Sequence, residues 1–172
     1  RVFAQHMDSI PVGRGMGMAL AEALKEAGAE GVMLNHAEKK LPLDEIEKSI
    51  RRADEVGLAT MVCGDTMEEI KEIACMGPNI IVAEPTELIG TGKAVDKEYV
   101  DSCLNLIKSI NPDILVLPSA GISCGKDCYN IISLGAEGTG CSSALAKAAD
   151  GVALAREMIA SVRKAYDDLK IK

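Results

Sequence analysis

Two side chains that could move protons stand directly after apolar runs of the sequence. Glu84 follows Ile80–Ala83, so we expect its carboxylate to lie in a pocket where loss of hydration raises its pKa toward that of a general base. His36 stands where the run 32–35 turns into a helical pattern, and nearby backbone N–H groups disfavour a cationic imidazole. A neutral ring there can donate a hydrogen bond to a carbonyl oxygen. The alternatives are that Glu84 pairs with a lysine or caps a helix, and that His36 only packs within its loop.

The segment that begins at Glu84 is typical of a loop that closes over a ligand. Pro85 stiffens its start, and Gly90 and Gly92 flank a threonine at its end, which suits a lid hinged at both ends. Backbone amides at residues 121–123 and 142–143 come just before helical patterns. Such amides bind phosphate, so these two loops are candidate phosphate-binding loops.

Six short apolar runs must position these residues. They span residues 2–6, 32–35, 60–63, 80–83, 114–117 and, more weakly, 138–142. Each run is followed by turn residues and a helical pattern, which predicts parallel strands joined by helical crossovers. A doubly wound open sheet and a βα barrel both fit this alternation. Length alone favours the open sheet, since a closed barrel usually needs about 250 residues.

Two stripes of apolar residues at helical spacing predict amphipathic helices on the sheet. One consists of Leu43, Ile46, Ile50 and Ala53. The other consists of Val152, Ala155, Ile159, Val162, Tyr166 and Leu169 near the end of the chain. Asp65 and Glu68, three residues apart, predict a capped helix start between the third and fourth runs.

Composition limits the classes of function. The 172 residues are 48% hydrophobic and fit one domain spanning 1–172. A formal net charge of −7 without a basic patch argues against binding to nucleic acid or to an anionic membrane. Six cysteines without a signal-peptide or membrane-spanning pattern indicate a reducing, cytoplasmic location. Cys124, Cys128 and Cys141 could be considered for zinc, but their spacing favours small buried hydrophobic residues, so we predict no metal site.

Several segments in order resemble the triosephosphate isomerase family, in its shorter archaeal form. They are Val-Phe-Ala-Gln-His at 2–6, Leu-Asn-His-Ala-Glu at 34–38, residues 50–58, residues 84–92, and Ala-Gly-Ile-Ser at 120–123. The resemblance implies an α/β fold of the TIM (β/α)8 barrel family, with this chain covering about six βα units, strands 3 to 8. It also implies an isomerase that interconverts dihydroxyacetone phosphate and glyceraldehyde 3-phosphate through an enediolate, without a cofactor.

The resemblance assigns roles to individual residues. Glu84 would be the catalytic base, His36 the catalytic electrophile, Glu38 a supporting carboxylate, and residues 85–92 the lid. The substrate-binding positions would be Ile89, Gly90, Gly121, Ser123, Ser142 and Ser143. The partner would be a small phosphorylated triose, and family members form homodimers or homotetramers through a loop that corresponds to residues 11–18.

The chain also departs from the family pattern. The family begins with a strand carrying Asn-x-Lys, so we expect Arg1 to be a truncated start that lacks the first two βα units. Ala37 stands where the family has Ser. The alternative hypothesis is a non-catalytic phosphosugar-binding or assembly protein derived from the same barrel.

Overall fold

A computed structural model of the chain describes residues 1–170. Five strands alternate with helices along the chain. The strands are β1 (Phe3–Ala4), β2 (Gly31–Leu34), β3 (Ala59–Gly64), β4 (Ile80–Ala83) and β5 (Leu115–Pro118). The α-helices are α1 (Ala21–Glu26), α2 (Leu43–Val56), α3 (Met67–Met76), α4 (Lys97–Ile110), α5 (Gly125–Ser133), α6 (Ser143–Lys147) and α7 (Gly151–Lys170), and a 3₁₀ turn covers Thr86–Leu88. No helix among these residues is long and apolar enough to cross a membrane.

The five strands form one parallel sheet in the order β1-β2-β3-β4-β5. A doubly wound sheet reverses its strand order partway, so the open-sheet alternative that length favoured is wrong. Right-handed crossovers that always step in one direction place their helices on one face of the sheet. This is the strand order of a βα barrel.

The sixth predicted strand, residues 138–142, is not a strand in the structure. The segment does begin beside β5: a Cβ at Gly138 would lie 2.8 Å from the Leu117 side chain. One backbone hydrogen bond joins the chain to β5 there, from the Glu137 N–H to the Val116 carbonyl at 3.2 Å. Side chains make two more: Glu137 Oε2 accepts from the Val116 N–H at 2.8 Å, and Thr139 Oγ1 donates to the Pro118 carbonyl at 2.9 Å. Its two glycines give this segment little to pack as a strand.

The predicted stripe on α2 is confirmed over Ile46, Ile50 and Ala53, which are buried, and α2 ends at Gly57 with φ 72°. The start of α3 lies one residue later than predicted. Its N-cap is Thr66, whose Oγ1 accepts from the Glu69 N–H at 3.2 Å, so the predicted pairing of Asp65 with Glu68 is wrong. Glu69 rather than Glu68 is the third residue of the helix.

The predicted apolar stripe on α7 is wrong. Val152, Ile159 and Tyr166 are 63%, 69% and 46% exposed, whereas Met158 and Ala165 are buried. The helix carries two apolar faces, and contacts with the rest of the chain select the one that includes Met158. Tertiary packing therefore overrides the hydrophobic pattern.

Two clusters of buried side chains form the core. The first lies between the sheet and α2, α3 and α4; its members include Val32, Ile46, Ile70, Ile81 and Ile107. The second joins α4, α5 and α7; its members include Val100, Ile122, Cys128, Ile131 and Met158. Cys128 is buried as predicted, together with Cys63 and Cys103, whereas Cys124 and Cys141 are only partly buried, so the prediction is wrong for these two. The carboxyl ends of the strands lie at one edge of this core.

Candidate active site

Parallel strands bring the residues that follow them to the same edge of the sheet. His36 comes two residues after β2, Glu84 directly after β4, and the turn 119–123 after β5. They line a cavity of about 400 Å³. All the site residues singled out from the sequence line it: His36, Glu38, Glu84, Ile89, Gly90, Gly121, Ser123, Ser142 and Ser143. Their chemical roles stay predictions.

His36 and Glu84 face each other across the cavity. The distance from His36 Nε2 to Glu84 Oε2 is 3.8 Å. On the other side of the ring, Nδ1 accepts a hydrogen bond from the Glu38 backbone N–H at 3.2 Å. A ring nitrogen that accepts carries no proton, so a neutral His36 holds its proton on Nε2, the nitrogen nearer Glu84. The Glu38 carboxylate is 91% exposed and its Oε2 lies 3.9 Å from His36 Nδ1, so the closer contact of Glu38 with the ring is through its backbone.

The environment of Glu84 keeps its carboxyl group basic. Burial raises the pKa of Glu84, the positive charge of a protonated His36 opposes this rise, and the negative charge of Asp65 adds to it. Its side chain is 16% exposed, and its ion-pair partner among residues 1–170 is His36 rather than a lysine. A carboxylate in this setting suits proton abstraction better than one held in a salt bridge.

The lid predicted over residues 85–92 begins with the 3₁₀ turn Thr86–Leu88 and ends with Gly90 and Gly92, whose φ values are 74° and 72°. Thr91 closes the turn by donating through N–H and Oγ1 to the Leu88 carbonyl. The chain then passes close to Gly121, where a Cβ would lie 1.9 Å from the Lys93 carbonyl oxygen. No other residue type fits there without moving the end of the lid against the turn after β5.

The amides at the start of α5 are less free than their sequence suggests. The Ser123 N–H and Oγ both donate to Asp127 Oδ2 at 2.9 Å, and the Cys124 N–H donates to the same oxygen at 3.2 Å. Although burial opposes it, these hydrogen bonds lower the pKa of Asp127. The Gly125 N–H donates to Glu157 Oε1 at 2.8 Å. Gly121, Ser142 and Ser143 are therefore better placed to bind an anion than Ser123.

Lys147 is a cavity residue that sequence reasoning missed. It lies in the last turn of α6, and among the described residues that line this cavity it is the one lysine or arginine. Its position four residues after Ser143 could have indicated it, because one helical turn brings both to the same face. Among residues 1–170, no group of three or more His, Cys, Asp or Glu side chains could hold a metal ion.

A parallel sheet in sequential strand order, with a carboxylate, an imidazole and backbone amides gathered at its carboxyl ends, is the arrangement of an enzyme of the βα-barrel class. The family model for triosephosphate isomerase matches residues 1–158. The chain belongs to the triosephosphate isomerase family and is an isomerase by this membership.

Two curated relatives show the extent of the similarity. The triosephosphate isomerase of Sulfurisphaera tokodaii is 40% identical over 172 residues, covering 98% of this chain and 75% of the relative. That of Methanocaldococcus jannaschii is 42% identical over 161 residues, covering 92% of this chain and 74% of the relative. The chain thus spans about three quarters of each relative's length, and the archaeal resemblance read from the sequence is confirmed.

Proposed function

We propose that the protein interconverts dihydroxyacetone phosphate and glyceraldehyde 3-phosphate through an enediolate. The observation that carries the proposal is the distance of 3.8 Å between Oε2 of a largely buried carboxylate, Glu84, and Nε2 of His36, in a cavity that is also lined by the loops predicted to bind phosphate. Membership of the triosephosphate isomerase family supports the choice of substrate.

Glu84 would take the proton from the carbon next to the substrate carbonyl and return it to the neighbouring carbon. The raised pKa of Glu84 favours this step, because a base whose pKa is closer to the operating pH both accepts and returns a proton readily. The electron pair of the broken C–H bond forms a carbon–carbon double bond, and the π pair of the carbonyl group moves to its oxygen and gives the enediolate. The reaction moves protons within one molecule, so it needs no external oxidant or reductant and no cofactor.

His36 would donate from Nε2 to the carbonyl oxygen and then move a proton between the two oxygens of the enediolate. The Glu38 N–H on Nδ1 fixes the tautomer that this requires. A fixed donor at a developing negative charge stabilises the transition state more than a mobile water does.

The other cavity residues would bind the phosphate and exclude water. Gly121, Ser142 and Ser143 offer backbone groups at the end of the cavity that also holds Lys147. Ile89 and Gly90 belong to the lid, which would cover the enediolate and prevent loss of its phosphate. Ser123 would contribute less directly, because Asp127 already binds its amide and hydroxyl.

We also propose that the protein works in the cytoplasm as a homodimer or homotetramer. The loop of residues 11–18 supports an assembly role, since Val12 is 69% and Met16 fully exposed. Exposed apolar side chains clustered on one loop are typical of a contact with another subunit. Light scattering of the protein and of Met16→Asp tests this: the proposal expects an oligomer that the substitution weakens.

A coupled isomerase assay on the protein and its Glu84→Gln variant tests the proposed activity. We expect turnover in the protein and a loss of several orders of magnitude in the variant, as for removal of a positioned general base. Equal, negligible turnover in both would contradict the proposal. If both proteins lacked turnover but still bound dihydroxyacetone phosphate, the result would favour the alternative, a non-catalytic phosphosugar-binding protein. Ala37, which stands beside His36 where the family has Ser, supports that alternative.

A further inference from the structure

A row of hydrogen bonds outside the cavity joins the turn that carries His36 to the start of the lid. It runs from Asn35 to Glu69, from Glu69 to Asp65, and from Asp65 to Thr86. The two ends of this row are the neighbours of the proposed catalytic residues: Asn35 precedes His36, and Thr86 follows Glu84 by two positions. The proposed mechanism assigns no role to Asn35 or Glu69.

Asn35 holds the His36 turn in an uncommon backbone conformation. Its φ is 58°, in the left-handed region, and its side chain is buried. Its side-chain amide makes three hydrogen bonds: Nδ2 donates to the Cys63 carbonyl at 2.9 Å and to Glu69 Oε1 at 2.8 Å, and Oδ1 accepts from the Leu41 N–H at 2.9 Å. The direction in which His36 leaves β2 therefore depends on where these partners hold Asn35.

The Glu69 carboxylate bridges two loops. Oε1 accepts from Asn35, and Oε2 accepts from the Asp65 backbone N–H at 2.8 Å. The side chain starts from the first turn of α3, where the Glu69 N–H is itself bound by the N-cap Thr66. Lys40 Nζ lies 3.2 Å from Oε2 and balances the charge. A bridge anchored on a helix fixes both loops relative to the sheet.

Asp65 extends the bridge to the lid. Its Oδ1 accepts from the Thr86 N–H at 2.9 Å and its Oδ2 from Thr86 Oγ1 at 2.7 Å, so both oxygens hold the first residue of the lid turn. Glu69, which binds the Asp65 backbone N–H, therefore holds both Asn35 and the residue whose carboxylate binds the lid hinge.

We infer that Glu69 is a positioning residue that sets the His36 turn and the lid hinge together, through Asn35 on one side and through Asp65 and Thr86 on the other. This role rests on the proposed isomerase function of the cavity. It predicts that one substitution remote from the substrate disturbs both halves of the catalytic pair at once.

Glu69→Ala tests the inference because it removes both carboxylate oxygens, and with them the bonds to Asn35 and Asp65. Glu68→Ala, at an exposed position in the same helical turn, is the matched control. Asp65→Ala is a second variant, which removes both acceptors of Thr86 and should loosen the lid hinge while leaving the His36 turn in place.

Three readouts separate the possibilities. Amide hydrogen exchange at Thr86 and the ring signals of His36 in nitrogen-15 NMR report position without turnover, and kcat with KM reports catalysis. In Glu69→Ala we expect exchange at Thr86 to rise on the order of tenfold, the His36 signals to shift, and kcat to fall on the order of tenfold with KM little changed. Asp65→Ala should raise the exchange at Thr86 and leave the His36 signals unchanged.

The inference is overturned if Glu69→Ala matches Glu68→Ala in exchange and ring signals, or if it changes only one of the two. It is also overturned if Asp65→Ala leaves exchange at Thr86 unchanged, which keeps a test available should Glu69→Ala fail to fold. Failure of the proposed function looks different: the parent protein shows no turnover while exchange and ring signals respond as expected, which leaves the positioning role of Glu69 intact.

Discussion

The two halves of the candidate site are held in different ways. The half with His36 and Glu84 stands directly on β2 and β4, and hydrogen bonds through Asn35, Asp65 and Glu69 fix its loops. The half with Ser123, Ser142 and Ser143 follows β5 and an irregular segment, which one backbone and two side-chain hydrogen bonds join to β5. Strand ends place the residues proposed to transfer protons, whereas the irregular segment leads to two of the serines proposed to bind phosphate.

In the first half of the site, His36→Gln should cause the largest loss of activity. The substitution keeps a hydrogen-bond donor but removes the imidazole that moves protons between the enediolate oxygens. We expect kcat to fall by about 10²-fold or more, with KM changed much less. Steady-state kinetics measure the split. An unchanged kcat would show that His36 only packs within its loop.

In the second half of the site, we expect substitutions to lower the stability of the fold rather than to change the catalytic step. Glu137→Ala removes the acceptor of the Val116 N–H and the partner of Lys108 Nζ at 2.6 Å. We expect a loss of about 1–2 kcal/mol in the free energy of unfolding, because a backbone donor at the edge of β5 loses its partner. Urea unfolding measures the change, with Glu72→Ala on the exposed face of α3 as the control. Equal stabilities would show that the irregular segment is held by other contacts.

A smaller effect is expected from Lys147. Lys147→Met should weaken binding of dihydroxyacetone phosphate by roughly threefold, and the difference between protein and variant should shrink as salt rises, since an exposed charge is screened. Calorimetric titration at two salt concentrations measures both. A difference that does not depend on salt would mean that Lys147 acts through packing.

The smallest expected effect concerns stability against pH. The pKa of Glu84 is raised in the folded protein, so the contribution of this carboxyl group to stability is complete below its unfolded pKa and is lost as the pH rises through its folded pKa. Ionised Glu84 therefore costs stability near neutral pH. The Tm of Glu84→Gln minus the Tm of the parent protein should therefore be larger at pH 7 than at pH 4. An equal difference at both pH values would mean that Glu84 is not desolvated.

The same contrast explains what the sequence could predict. The runs that became β2 to β5 are apolar and bounded by turns, so strand, crossover and site position could all be predicted from residues such as Val82 and Glu84. The segment 138–142 has two glycines and a threonine, and its placement depends on Glu137 reaching back to β5, which periodicity does not show. The bridging role of Glu69 and the buried face of α7 likewise depend on neighbours that are distant in sequence.

Exchange of the substrate's carbon-bound proton with solvent tests the central claim most directly. In heavy water, a base that takes the proton from dihydroxyacetone phosphate and returns a deuteron labels the carbon next to the carbonyl. Proton NMR should show enzyme-dependent labelling with the parent protein and none above background with Glu84→Gln. Labelling that persists in Glu84→Gln, or is absent in both proteins, would contradict the account.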